Sequence, residues 1–136
     1  MKDKHIHYGD FIRKKRLADP RELTQQDVAD HLDISLSYMN EVENGRKKPL
    51  DGEKNEKLAL FLNLSDEDAA FLFDIASREN REIPFDIEDT LMYEDVGDLI
   101  RYAARQSKAG FIQEEDWKTF IREMEEKKKK EDVGDG

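Results

Sequence analysis

The segment Leu23 to Pro49, LTQQDVADHLDISLSYMNEVENGRKKP, constrains this chain more than any other. It reads as a helix, a tight turn, a second helix, a glycine stop and three cations in a row. Thr24 stands before a helical run as an N-cap, and Asp27, three residues on, approximates a capping box. Val28, Ala29 and Leu32 recur at helical spacing. Asp33 and Ile34 make the turn, and Ser35 is the second N-cap. Asn44 and Gly45 end the second helix, with glycine at the position that favours a left-handed backbone.

At about 100° per residue the second helix divides into two faces. Ser35, Met39, Val42 and Glu43 fall on one side, and Ser37, Asn40, Glu41 and Asn44 on the other, with Leu36 and Tyr38 flanking the outer face. That outer face is short and polar, rich in groups that donate and accept hydrogen bonds, which suits base edges in a major groove. Arg46, Lys47 and Lys48 follow where flanking phosphates would be clamped. Glu43 is the odd member of the inner face. A carboxylate near a core needs a partner, and the run FIRKKR offers cations from Arg13 to Arg16.

With FIRKKR at 11–16, LTQQDVA at 23–29, the IS..YM..VE.G pattern from Ile34 to Gly45, and Pro49, the stretch from Tyr8 to about Asn80 resembles the lambda-repressor/Cro-like helix-turn-helix domain of the XRE family of transcriptional regulators. The resemblance implies an ion pair between Arg16 and Glu43, a phosphate contact from Gln25 at the start of the first helix of the motif, and a recognition helix over Ser35–Asn44. Three residue choices depart from the family pattern. Asp33 stands where glycine is frequent, and Asp tolerates the left-handed region better than most. The link LADPRE is longer than usual, with Pro20 stopping the first helix. Glu41 replaces a neutral or basic contact; its carboxylate can accept from cytosine N4 and repels phosphate.

The chain has 136 residues, enough for one domain or a small domain with an appendage. It has no Cys, which excludes disulfides, a thiol nucleophile and a Cys-based zinc site. No apolar run approaches the roughly 20 residues of a membrane span, and MKDKHIHYGD lacks the apolar core of a signal peptide. A soluble cytoplasmic protein is expected, with no membrane partner. The net charge of −10 is unevenly placed. Residues 1–50 carry 10 Lys and Arg against 9 Asp and Glu, whereas residues 51–136 carry 13 against 24. Because salt screens exposed charges beyond about 8–10 Å, local placement counts for more than the total. An acidic remainder weakens nonspecific DNA binding, or serves solubility alone.

Outside the motif, helix one is expected from about Tyr8 to Leu17 and helix four within Asp51–Leu62. Helix five starts at Ser65, with Asp66, Glu67 and Asp68 in the dipole-favoured first turn and an AAFLFDIA body apolar nearly all round. Pro84 marks a joint at 81–85. Beyond it, Ile87, Leu91 and Met92 mark a short helix; Val96, Leu99, Ile100 and Ala103 mark a second, with Gly110 as its stop; Trp117, Phe120, Ile121 and Met124 mark a third. The terminal EEKKKKEDVGDG reads as a frayed tail. So little amphipathic helix makes a poor core of its own, so residues 86–128 are expected to dock on the first domain, a second copy or a partner.

The Trp117 stripe reads as packing rather than a ligand box. His5 and His7 form an HxH pair with no third ligand nearby, so no metal is expected. His31 is placed on the outer part of helix two or near the DNA backbone. No phosphate loop, nucleophile elbow or metal-ligand pair on a helix appears, so neither enzyme activity nor a cofactor is expected.

The expected fold is all-α: a five-helix lambda-repressor-like DNA-binding domain over 1–80, then an acidic helical C-terminal region over 81–136 for dimerisation or partner binding. The expected function is sequence-specific regulation of transcription, as a repressor acting as a homodimer on double-stranded DNA. Leu36, Ser37, Asn40 and Glu41 would read bases; Gln25, Tyr38, Asn44, Arg46, Lys47 and Lys48 would hold phosphates. The alternative is an antitoxin-like interaction protein, whose acidic C-terminal helices bind a partner protein, with DNA binding secondary.

Overall fold

The computed structural model describes residues 6–134, with side chains to Asp132. Every regular element among them is helical: α1 Tyr8–Ala18, α2 Gln25–Leu32, α3 Leu36–Glu43, α4 Gly52–Phe61, α5 Asp66–Asn80, a single 3-10 turn Phe85–Ile87, α6 Glu88–Met92, α7 Asp95–Lys108 and α8 Glu114–Gly134. The described residues are all-α, and α1 to α5 have the arrangement expected of a lambda-repressor-like domain. His5 lies outside the described residues, so the HxH pair has no described geometry.

Local chemistry sets these boundaries. Thr24 caps α2 in a full capping box with Asp27, and the bond from the Thr24 N–H holds the Asp27 carboxyl below its ordinary range. Ser35, Asp51 and Ser65 cap α3, α4 and α5 by accepting from the N–H three residues on. Asp33 ends α2 in the left-handed region at φ 58°, and Gly45 follows α3 at φ 76°. Helix one stops at Ala18, two residues before Pro20. There Arg21 binds Asp19 through two nitrogens and drives its carboxyl down to about 2.

The chain divides into two compact units, residues 1–88 and 89–136. In the first, α1 to α5 enclose a core of Tyr8, Phe11, Ile12, Val28, Leu32, Met39, Val42, Leu58, Leu72 and Ile75. Helix five packs on α1 and α4, so its apolar body is covered within its own unit. The 3-10 turn also belongs here, with the Phe85 ring against Gly52. Two polar ties seal this core. Buried Asn55 accepts from the Tyr8 hydroxyl and donates to the Leu50 carbonyl at 2.8 Å, and Glu79 accepts from the Tyr8 N–H at 2.8 Å. Burial pushes the Tyr8 phenol far up, so it stays a protonated donor.

In the second unit α6 and α7 meet closely: a Cβ on Gly97 would lie 2.5 Å from the Leu91 carbonyl oxygen. The Trp117 indole donates to Ser107 Oγ at 2.8 Å, tying α8 to the end of α7. The C-terminal segment corrects the expectation of a frayed tail, because α8 continues to Gly134. Lys and Glu are strong helix formers, Glu125–Lys129 and Glu126–Lys130 stand four apart in the favourable order, and no breaker intervenes before Gly134.

Candidate nucleic-acid interface

Helix three owes its orientation to one buried ion pair. Met39, Val42 and Glu43 are buried, and the Glu43 carboxylate receives Arg16 from α1 in two-pronged fashion, Nε to Oε2 at 2.8 Å and Nη2 to Oε1 at 3.0 Å. Arg16 also donates to the Leu23 carbonyl at 3.0 Å, so one guanidinium ties α1 both to the start of the motif and to the end of α3. Burial alone would raise the Glu43 carboxyl; the bonds from Arg16, Gln25 and Arg13 outweigh it and hold the group below its ordinary range. The Glu43 bond raises Arg16 in turn. Gly9 lets this contact close. A Cβ there would lie 2.5 Å from the carbonyl oxygens of Val42 and Glu43, so any side chain would push α1 off the end of α3.

From Glu43 a ring of hydrogen bonds runs outward to the exposed face of α3. Gln25 Nε2 donates to Glu43 Oε1 at 3.2 Å, and Asn40 Nδ2 donates to Gln25 Oε1 at 3.0 Å. Asn44 Nδ2 donates to Asn40 Oδ1 at 3.1 Å, and Arg13 Nη2 to Asn44 Oδ1 at 2.8 Å. Arg13 Nε, 3.4 Å from Glu43 Oε1, closes the ring. Three candidate DNA-contacting residues, Gln25, Asn40 and Asn44, are thus brought together and fixed on the buried carboxylate. An amide carries two N–H donors and two oxygen lone pairs. Asn40 spends one of each on the ring and keeps one of each, the pair that bidentate contact with adenine requires.

The other candidates surround this centre. Ser37 is exposed, Leu36 and Tyr38 are 44% and 37% exposed, and all three stand in the first turn of α3. Glu41 lies farther along, with Lys47 Nζ 3.9 Å from its carboxylate, so that lysine already answers the acid at the edge of the face. Arg46 and Lys48 are exposed beyond the left-handed Gly45. His31 turns away from α3 and stacks on Phe61 of α4, with ring centroids 4.1 Å apart and planes inclined by 17°.

Sequence reasoning missed Arg13 as the clasp of the ring, Asn55 as the buried tie, and Gly9 as the close contact. FIRKKR held the signal for Arg13 without saying which cation reaches which group. No cluster of His, Asp or Glu suited to a metal ion occurs among the described residues, and none of their helices is long and apolar enough to cross a membrane.

This geometry matches a known pattern: residues 12–68 fit the helix-turn-helix family model. The first unit is an XRE-type helix-turn-helix domain. No curated protein and no solved structure matches the chain. The match supports a DNA-binding transcriptional regulator. The match starts inside α1 and ends in the first turn of α5, so it takes in Arg13, Arg16, Gln25, Asn40, Glu43 and Asn44 together.

Proposed function

We propose that the protein is a sequence-specific transcriptional repressor that binds operator DNA as a homodimer, with α3 in the major groove. The observation carrying this reading is the ring on Glu43, which fixes Asn40 while leaving one donor and one acceptor on its amide uncommitted. Pre-organised base readers lose less entropy on binding, which favours discrimination over mere attachment. Asn40 reads adenine, Glu41 accepts from cytosine, and Ser37 and Leu36 contact neighbouring base edges. Gln25, Tyr38, Asn44, Arg46, Lys47 and Lys48 hold phosphates, and Lys47 leaves Glu41 for the DNA as it does so.

One such unit reads few base pairs, so two half-sites about 34 Å apart are expected, matched to a two-fold dimer. The test is a gel shift of the full chain on the DNA upstream of its own coding region, at two salt concentrations. A specific complex that outlasts the random-DNA complex as salt rises supports the reading; equal loss of both contradicts it.

A second reading has its own observation. Leu99, Tyr102 and Phe111 in the second unit are 70%, 64% and 81% exposed, more apolar surface than a lone regulator needs. A partner protein held there would make DNA binding secondary, and a full chain that sediments as a monomer at micromolar concentration would favour it.

A further inference from the structure

Helix eight carries an apolar seam whose flanking charges are ordered. Phe120 and Ile121 are 60% and 48% exposed, with Trp117 and Met124 half-buried on the same strip. At about 100° per residue, Asp116, Glu123 and Lys127 line the Phe120 side of the strip, Glu114, Lys118 and Glu125 line the Ile121 side, and Lys128 continues the strip itself beyond Met124. Acids gather at the start of the helix in Glu114, Glu115 and Asp116, and four lysines stand near its end at Lys127–Lys130.

We propose that α8 pairs with α8 of a second copy, antiparallel, about a two-fold axis at Ile121; this rests on the homodimer reading above and names its seam. Asp116 stands five residues before the axis and Lys127 six after it, so each meets the other across the pair. By the same register Lys118 meets Glu125, and the symmetry makes both pairings twice. Antiparallel helices bring like flank against like flank, and each of these pairs joins residues of one flank. Glu123 falls opposite uncharged Thr119 and Phe120. At the centre Phe120 meets Ile121 and Trp117 meets Met124, which covers the exposed rings.

A parallel pair would set the four lysines of one copy beside those of the other, and the three acids likewise. Flanking charges of this kind set orientation in paired helices. Lys118 lies 3.6 Å from Glu114 and 3.7 Å from Glu115 of its own helix, an exposed contact that yields readily to a partner carboxylate.

The chain has no cysteine, so single cysteines report the register directly. Ile121→Cys, Lys118→Cys and Glu125→Cys are made in the full chain, oxidised to the disulfide, which forms only when the two Cα atoms lie within about 7 Å, and run on a denaturing gel beside sedimentation of the untreated chain. The expected pattern is a covalent dimer from Ile121→Cys alone, none from Lys118→Cys or Glu125→Cys alone, and a covalent dimer when those two are mixed. Cross-linking of Lys118→Cys with itself and of Glu125→Cys with itself means a parallel pair and overturns the proposal. A chain that sediments as a dimer yet cross-links at none of these positions also overturns it, while the homodimer reading stands. A chain that sediments as a monomer removes both.

Discussion

Glu43 joins the buried core to the exposed face of α3 through one carboxylate. Its carboxylate is fully buried and accepts from Arg16, Arg13 and Gln25, so removing one cation strands a charge. Arg16→Met is expected to cost about 3–5 kcal/mol, and adding Glu43→Leu to recover much of the loss. Chemical denaturation of the two single variants and the double closes that cycle, and purely additive losses would show the pair to be uncoupled. The pH dependence follows from the same group. Its folded pKa lies below the ordinary value, so its contribution is complete above the unfolded carboxylate range near about 4.3 and is lost as pH falls through the folded pKa. Glu43→Gln should therefore lose less stability on acidification than the parent chain, measured as the midpoint of denaturation against pH.

Gly9 is the second residue on which the site turns. With backbone oxygens of Val42 and Glu43 at 2.5 Å from a built Cβ, Gly9→Ala forces a backbone shift rather than a side-chain adjustment. An overpacking cost of about 1–3 kcal/mol is expected, with DNA affinity falling further than stability alone explains, because α3 shifts with it. Thermal melts and binding isotherms on the same preparation separate the two effects.

At the scale of elements, the motif was legible because its signals are local. Thr24 and Ser35 cap, Asp33 and Gly45 take positive φ, and the apolar residues between them fall on one face, all within a few residues of sequence. The Arg16–Glu43 pair was half legible: an acid on an inner face demands a cation, and family resemblance said which one. The ring through Asn40 and Asn44 was not legible, since it depends on side chains converging from α1, α2 and α3. Asn55 reads as one more polar residue in GEKNEK; its burial depends on Tyr8, far off in sequence. The tail of α8 was misread because a run of charges looks like a solvated end, though the same residues propagate a helix well.

The basic turn after α3 belongs to this scale too. If Arg46, Lys47 and Lys48 each neutralise one phosphate, changing all three to Ala lowers the salt slope of binding by about 0.9 per lost contact. Specific and random DNA should lose affinity alike, measured by fluorescence anisotropy across a salt series. Loss of specific binding alone, with the slope intact, would assign the phosphates elsewhere.

For the whole molecule, the chain divides at residue 88 into two compact units, and on the proposed reading the first binds DNA and the second supplies the dimer contacts. The first unit has a closed core and its own polar ties, so a chain ended after Glu88 should fold as a helical monomer. Without the second unit it loses the avidity of two linked contacts, and affinity for a two-half-site operator should fall about 10²–10⁴-fold. Sedimentation and binding of the truncated chain check both statements; a dimeric truncation would place the interface in the first unit.

The most direct test of α3 as the reading element is selection of preferred sites from random duplex DNA by the full chain, by Asn40→Ala and by Glu41→Ala. The parent chain should select a two-fold site with half-sites about 34 Å apart, each base contact contributing about 1–3 kcal/mol of discrimination. Each variant should lose preference at one or two symmetry-related positions while keeping its helicity. An unchanged site in both variants, or no preferred site for the parent chain, would contradict the assignment of α3 to the major groove.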